Sequence, residues 1–275
     1  MIKMKKERVD VLVVAQGLCD TREQAKRSVM AGLVYDENNE RMDKPGMKIP
    51  EHTKLQLKGS RLPYVSRGGL KLEKAIEVFD IEMADKILLD IGASTGGFTD
   101  VSLQNGAKLS YALDVGYNQL AWKLRQDERV VVMEKTNFRY AKPEDFTKGV
   151  PDIATIDVSF ISLKLILPVL KTILKEQGEV VCLVKPQFEA GREFVGKNGI
   201  IRDKEVHEMV LFQLLSFMQE AGYEIQGVSY SPIRGGEGNI EFLAYLINSK
   251  QPKIKPESSI KELSQEIVAK AHQSL

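Results

Sequence analysis

From Lys86 onward the chain repeats one pattern, a short apolar run rich in β-branched residues that ends on a polar or charged residue. "KILLDIG", "LSYALDVG", "RVVVMEK", "PDIATIDVS" and "GEVVCLVKP" recur at intervals of about 20–30 residues, with helical segments between most of them. Runs with so little alternation suit strands covered on both faces, as in a parallel sheet. After the helical stretch "KEVHEMVLFQLLSFMQEAG", the runs "YEIQGVSYSPI" and "IEFLAYLIN" follow closely and predict a final strand pair, with room for the last to be antiparallel. The pattern predicts a doubly wound α/β fold.

Such sheets bind ligands beyond the carboxyl ends of their strands, so the residues at the tips matter most. The first run leads into "LLDIGASTGGFTD", residues 88–100, a glycine-rich turn that is not GxGxxG. Gly92 permits a tight turn, and Gly96 and Gly97 let a ligand approach the backbone where a helix begins. Asp90, just before that turn, would repel a pyrophosphate but suits the cationic methionine moiety of S-adenosylmethionine. Asp114, at the second tip, is placed to take two ribose hydroxyls. The predicted cofactor set is Asp90, Gly92, Ser94, Thr95, Gly96, Gly97, Phe98, Asp114 and Asn137, the last from "EKTNFR" at the third tip. The two acidic tips favour S-adenosylmethionine. A nicotinamide enzyme and a purely structural glycine turn are the alternatives.

Four more residues sit at this edge or beside it. Asp157 ends the fourth run, Lys185 the fifth, Lys71 lies on a helix before the first strand, and Glu241 lies at the last strand. Each alone has a plainer reading: a helix-surface charge for Lys71, a cap for Asp157, a strand-end charge for Lys185, an edge charge for Glu241.

Residues 1–61 form a different kind of segment. They hold thirteen Lys/Arg and nine Asp/Glu, a charge of +4 in a chain of net +1, so the rest is mildly acidic. A basic head on an acidic body points to a polyanionic partner. "RVDVLVVAQGL" has helical spacing and ends near glycine. "DTREQAKRSVMAGLV" opens with a capping box, Thr21 and Gln24, and places Arg22 and Lys26 on one face with Arg27 beside them. "HTKLQLKG" alternates as a strand should. The expectation is two short helices packed on one small hairpin, over 1–60. A Gly/Pro/Ser/Arg linker over 61–69 follows, then a body over 70–250 and a polar tail over 251–275 that is assigned no role.

Cys19 and Cys182 are too far apart in sequence to form a disulfide framework, and His52, His207 and His272 show no ligand spacing, so no metal site is expected. No stretch approaches the ~18 apolar residues that span a bilayer, and a cytoplasmic place is expected.

"RVDVLV", "TREQAKRSVMAGLV" and "KPGMKI" resemble the alpha-L RNA-binding module, which implies phosphate contacts by Arg8, Arg22, Lys26 and Arg27, with Arg67 added from the linker. Joined through "YVSRGGLKL" to "DIGASTGGFTD", "DVGYNQL", "TIDVSFISL", "LVKPQFEAGR" and "GEGNIEFL", the whole resembles the TlyA (haemolysin A) family, whose catalytic part is of the FtsJ type. That resemblance implies methylation of a ribose 2′-hydroxyl, of cytidine, in ribosomal RNA or ribosomal subunits, with S-adenosylmethionine as donor and no membrane partner. It implies a Lys-Asp-Lys-Glu catalytic set at Lys71, Asp157, Lys185 and Glu241, with Glu237 competing for the last place. Lys185 is expected at the 2′-oxygen, as base or as electrostatic guide, with Asp157 holding it. The rivals are a membrane-lytic protein, as the family's older name implies, and an inactive RNA-binding assembly factor.

Overall fold

A computed structural model describes residues 5–58, 62–235 and 238–275. Glu237 and residues 59–61, where the first module meets the linker, lie outside the described residues. The chain divides into two compact units, Met1–Arg67 and Gly68–Leu275.

The smaller unit is built from β1 (Lys6–Arg8), α1 (Val9–Ala15), α2 (Arg22–Met30), β2 (Val34–Asp36), β3 (Lys48–Pro50) and β4 (Leu55–Leu57). The capping box of α2 forms as its sequence predicts: Gln24 N–H donates to Thr21 Oγ1, and the Gln24 side chain accepts from the Thr21 amide. The single hairpin does not form. Instead β1 pairs with β3 and β2 with β4, as two separate antiparallel ladders. The turn at Pro45–Gly46 sends the chain back past α1, where the amides of Val9 and Asp10 donate to the carbonyls of Met47 and Pro45. Val9, Leu12, Val13, Ala25, Val29 and Val34 fill the small core.

Asp10, fully buried, organises this unit. Arg8 donates to it from Nε (2.8 Å) and Nη2 (3.0 Å), and Arg22 from Nε (2.9 Å). The Arg8 bonds hold its carboxyl at about 2; burial pushes the other way, and Arg22 adds to the lowering. A carboxyl so depressed stabilises the fold above its ordinary value of 3.8, and that contribution is lost as pH falls from there toward about 2. Asp10→Asn leaves two guanidinium groups without their anion and should cost about 1–2 kcal/mol. The readout is thiol labelling of buried Cys19, expected to speed up about 5- to 30-fold at pH 7. Labelling of Cys182, in the other unit, should not change. Unchanged Cys19 labelling would show that the arginines hold nothing together.

The larger unit contains α3 (Gly69–Phe79), β5 (Ile87–Ile91), α4 (Gly97–Gln104), β6 (Leu109–Leu113), α5 (Trp122–Arg125), β7 (Val130–Met133), β8 (Ile153–Ile156), α6 (Leu167–Ile173), β9 (Glu179–Val184), α7 (Pro186–Glu189), α8 (Lys204–Glu220), β10 (Tyr223–Tyr230), β11 (Phe242–Asn248) and α9 (Glu257–Ser274). Seven strands form one sheet in the order β10-β11-β9-β8-β5-β6-β7. β5 to β9 are mutually parallel, and β11 inserts antiparallel between β9 and β10. Because β5 lies at the centre and the chain leaves it in both directions, the tips of β5, β6 and β8 converge where the order reverses, the place such sheets reserve for ligands.

One face of the sheet presents Leu89, Ile91, Leu113, Ile156, Val180 and Val184 to α6, α8 and α9. Each such side chain contributes roughly 1.5–3 kcal/mol on full burial. Residues 251–275 are therefore not a free polar tail. Ile260, Ser264, Ile267, Val268 and Ala271 recur at helical spacing and are buried in α9, which completes the core over α8 and β10.

Candidate active site

The turn after β5 is fixed by close approach. Gly92 has φ +87°, and a Cβ there would lie 2.5 Å from the carbonyl oxygen of Asp157, so any side chain would push β5 and β8 apart. Gly96, at φ +91°, starts α4, and a Cβ there would collide with Leu124 and Leu120. Both constraints are backbone or core contacts, which explains why glycine is needed at these two places.

Asp90 is not where a ligand would first meet it. It faces inward, buried, and accepts from the Thr99 amide (3.0 Å), the Thr99 hydroxyl (2.8 Å) and the Thr155 hydroxyl (3.1 Å). Burial pushes its carboxyl up to about 7 even though these bonds pull it down. Asp90 thus ties β5 to β8 and to the first turn of α4, correcting the expectation that its charge faces a cofactor cation. Phe98 is likewise buried and packs in the core. Asn137 caps a short turn, accepting from the Arg139 amide at 3.1 Å.

Asp114 follows β6 directly and is half-buried. It accepts from the amides of Ser94 (2.8 Å) and Gly116 (2.6 Å), which leaves lone pairs for two vicinal hydroxyls. Beside it Val115 is 71% exposed, an apolar side chain open next to an anion. Carboxylate, apolar contact and glycine turn together fit the ribose, base and amino-acid parts of S-adenosylmethionine. Glu134, missed in the sequence, shapes the neighbouring loop. Burial raises its carboxyl, but Arg125 and the amides of Asn118, Gln119 and Leu120 hold it at about 2.

Next to this cradle the four predicted catalytic residues meet. Lys71 Nζ on α3 lies 2.7 Å from Glu241 and 3.5 Å from Asp157, and Lys185 Nζ lies 2.5 Å from the other oxygen of Asp157. Two cations and two carboxylates alternate in one line, and all but Asp157 are buried residues. Burial would lower Lys71, but Asp157 and Glu241 raise it above its ordinary value. Burial would raise Asp157, but Lys71 and Lys185 hold it below the usual carboxylate range. Lys185 also donates to Ser159 Oγ at 3.3 Å, a partner two residues beyond Asp157 that sequence reading passed over. Phe160 follows, 90% exposed and at φ +63°, with its ring 5.0 Å from that of Phe188.

In the smaller unit, Arg8 and Arg22 are committed to Asp10 while their side chains stay partly exposed. Lys26 pairs loosely with Glu23 at 3.7 Å, Arg27 is half-buried, and Arg67 is exposed.

Residues 64–247 match the FtsJ-like methyltransferase family. A Bacillus subtilis (strain 168) relative named as a candidate rRNA methyltransferase, YqxC, is 61% identical over 274 residues, covering 98% of this chain and 96% of that protein. The 16S/23S rRNA (cytidine-2′-O)-methyltransferase TlyA of Mycobacterium tuberculosis is 41% identical over 88% of this chain and 90% of its own length. A solved structure from Streptococcus thermophilus, described as a candidate hemolysin, superposes with a TM-score of 0.78 at 61% identity, covering 99% of this chain and 98% of that one. With glycine turn, acidic rim and Lys-Asp-Lys-Glu line all within the matched region, the chain belongs to the FtsJ-like methyltransferase family, among its TlyA members.

Proposed function

We propose that this protein transfers a methyl group from S-adenosylmethionine to the 2′-hydroxyl of a cytidine in ribosomal RNA. The observation that carries the reading is the line Glu241–Lys71–Asp157–Lys185, assembled from four separate elements beside the Gly92–Gly97 turn. S-adenosylmethionine, when bound, supplies a methyl already made electrophilic by its sulfonium sulfur. The residues must therefore position and polarise a poor nucleophile. Asp157, held ionised, anchors both lysines. Lys185 donates toward the 2′-oxygen, aims its lone pair and stabilises the negative charge that develops there. Lys71, with a raised pKa, serves as a fixed cation rather than a base, and Glu241 keeps it in place. The hydroxyl proton passes to water at the open edge formed by Asp157. Phe160, exposed beside Lys185, offers a face on which an unstacked base can lie.

The smaller unit contributes phosphate contacts through the outer faces of Arg8 and Arg22 with Lys26, Arg27 and Arg67. The cytoplasm, where ribosomal subunits are made, is its place of action. No helix among the described residues is long and apolar enough to cross a membrane. The test is to treat ribosomal RNA and both subunits from a strain lacking the protein with the purified enzyme and labelled donor, then map the modified riboses. Label at cytidine 2′-oxygens is expected. Label on bases alone, or none with either subunit, would overturn the assignment.

A further inference from the structure

We propose that Glu189 is a positioning residue for methyl transfer: its carboxylate ties the segment carrying Asp157 to the segment carrying Lys185, and so sets the separation of the two groups. The inference rests on the reading of that pair as the reacting centre.

Lys185 is the cap of α7, a single turn begun by Pro186 and closed by Glu189. The turn is stiff: the Phe188 amide donates to the Lys185 carbonyl and the Ala190 amide to the Pro186 carbonyl, both at 2.9 Å. Movement of Glu189 therefore moves Lys185. On the other side, Glu189 Oε2 accepts from the Ser162 hydroxyl at 2.5 Å and Oε1 from the Leu163 amide at 2.8 Å. Ser162 is five residues past Asp157 and caps its own short turn by accepting from the Lys164 amide at 3.1 Å. Glu189 spends both oxygens on a hydroxyl and an amide. Burial raises its carboxyl, against the pull of those two bonds, so the charge is kept there at a cost.

The Asp157 segment needs such an outside hold. Phe160 sits in the left-handed region, which strains a bulky residue and persists only where the surroundings enforce it. Its ring is mostly in solvent, with Phe188, from the Lys185 segment, 5.0 Å away as its one described ring partner. Besides that contact and the Lys185–Ser159 bond at 3.3 Å, the Glu189 bonds fasten the far end of residues 158–163 to the Lys185 segment, and unlike Lys185 they hold its backbone, through the Leu163 amide. With them gone, Phe160 can relax toward ordinary backbone and carry Ser159 and Asp157 out of line with Lys185.

The test compares wild type, Glu189→Ala and Glu189→Gln in the full chain. Glutamine keeps an oxygen for the Leu163 amide and gives an N–H to Ser162 Oγ, whose second lone pair is open. Two readouts are taken: hydrogen exchange at the Leu163 amide, and single-turnover methyl transfer to ribosomal subunits. Glu189→Ala should speed exchange at Leu163 at least about tenfold. It should also lower the transfer rate about 10- to 100-fold, the penalty for small misplacement of reacting groups. Donor affinity should stay within about twofold, since the glycine turn is not touched. Glu189→Gln should restore both readouts. Unchanged exchange in Glu189→Ala would remove the clamp. Faster exchange with an unaltered rate, or loss of donor binding together with the fold, would overturn the positioning role. A wild type inactive on every ribosomal substrate would overturn the proposed function and the catalytic half of this inference with it. Exchange at Leu163 would still decide whether the clamp exists.

Discussion

Lys185→Ala is expected to lower single-turnover methyl transfer to ribosomal RNA by about a thousandfold, while S-adenosylmethionine affinity stays within about twofold. The size follows from position. Lys185 donates to Asp157 and Ser159 at the edge of the catalytic line, and no other lysine of the line reaches that edge, because Lys71 is committed to Glu241 at 2.7 Å. Donor affinity should hold because the proposed donor cradle, the Gly92–Gly97 turn with Asp114 and Val115, does not depend on the Lys185 side chain. Lys185→Arg should recover little, since a planar guanidinium cannot occupy the point position between Asp157 and Ser159 that an ammonium fills. The pH profile gives a second check. Asp157 is held below its ordinary 3.8, so what it contributes is present above that value and fades only as pH falls through its lowered pKa. Lys71 is held above 10.5, so its contribution is present below that value and fades only as pH rises past its raised pKa. Neither group can produce a limb in the rate profile between about pH 6 and 9. Full transfer by Lys185→Ala with unchanged donor affinity would remove Lys185 from the chemistry.

The sheet was legible because each strand is a run of buried β-branched residues, and the tips were legible because charge ends each run. What the tips do was less so. Read one by one, Lys71, Asp157 and Glu241 are ordinary charges, and only the family resemblance joined them; the structure supplies the distances. Asp90 shows why spacing falls short. Both faces of β5 are covered, so alternation carries no sign of which way a side chain points, and only the cross-strand neighbour Thr155 and the helix residue Thr99 show that it turns inward. Arg8 and Arg22 read as a free basic face because Asp10, two and twelve residues away, looks like one more surface acid until α1 and α2 pack. The helix α9 was missed because it starts after Pro256 without a side-chain cap and its apolar face is narrow and broken by Ser264.

Removing one carboxylate from the catalytic line should unfold the larger unit more readily than removing a whole ion pair. Glu241→Ala leaves Lys71, a buried residue, with Asp157 at 3.5 Å as its remaining anion, and Asp157 is already shared with Lys185. Two cations then face one carboxylate in a site largely closed to water. Breaking a buried pair in this way costs about 3–5 kcal/mol. Lys71→Met combined with Glu241→Gln instead leaves the neutral pair Asp157–Lys185 and fills the space of the lost lysine with an unbranched apolar chain. Its stability should return to within about 1 kcal/mol of wild type, because the penalty belongs to the unpaired charge and not to the lost contact. Methyl transfer should stay impaired in both variants, since Lys71 and Glu241 fix Asp157 from behind. Denaturant melts followed through Trp122, the chain's one tryptophan and a residue of this unit, separate the cases. If the double variant is as unstable as Glu241→Ala, the loss does not come from an unpaired charge. If Glu241→Ala melts like wild type, water enters the line freely. The four residues would then be a solvated cluster unable to hold Lys185 in one place for the 2′-oxygen.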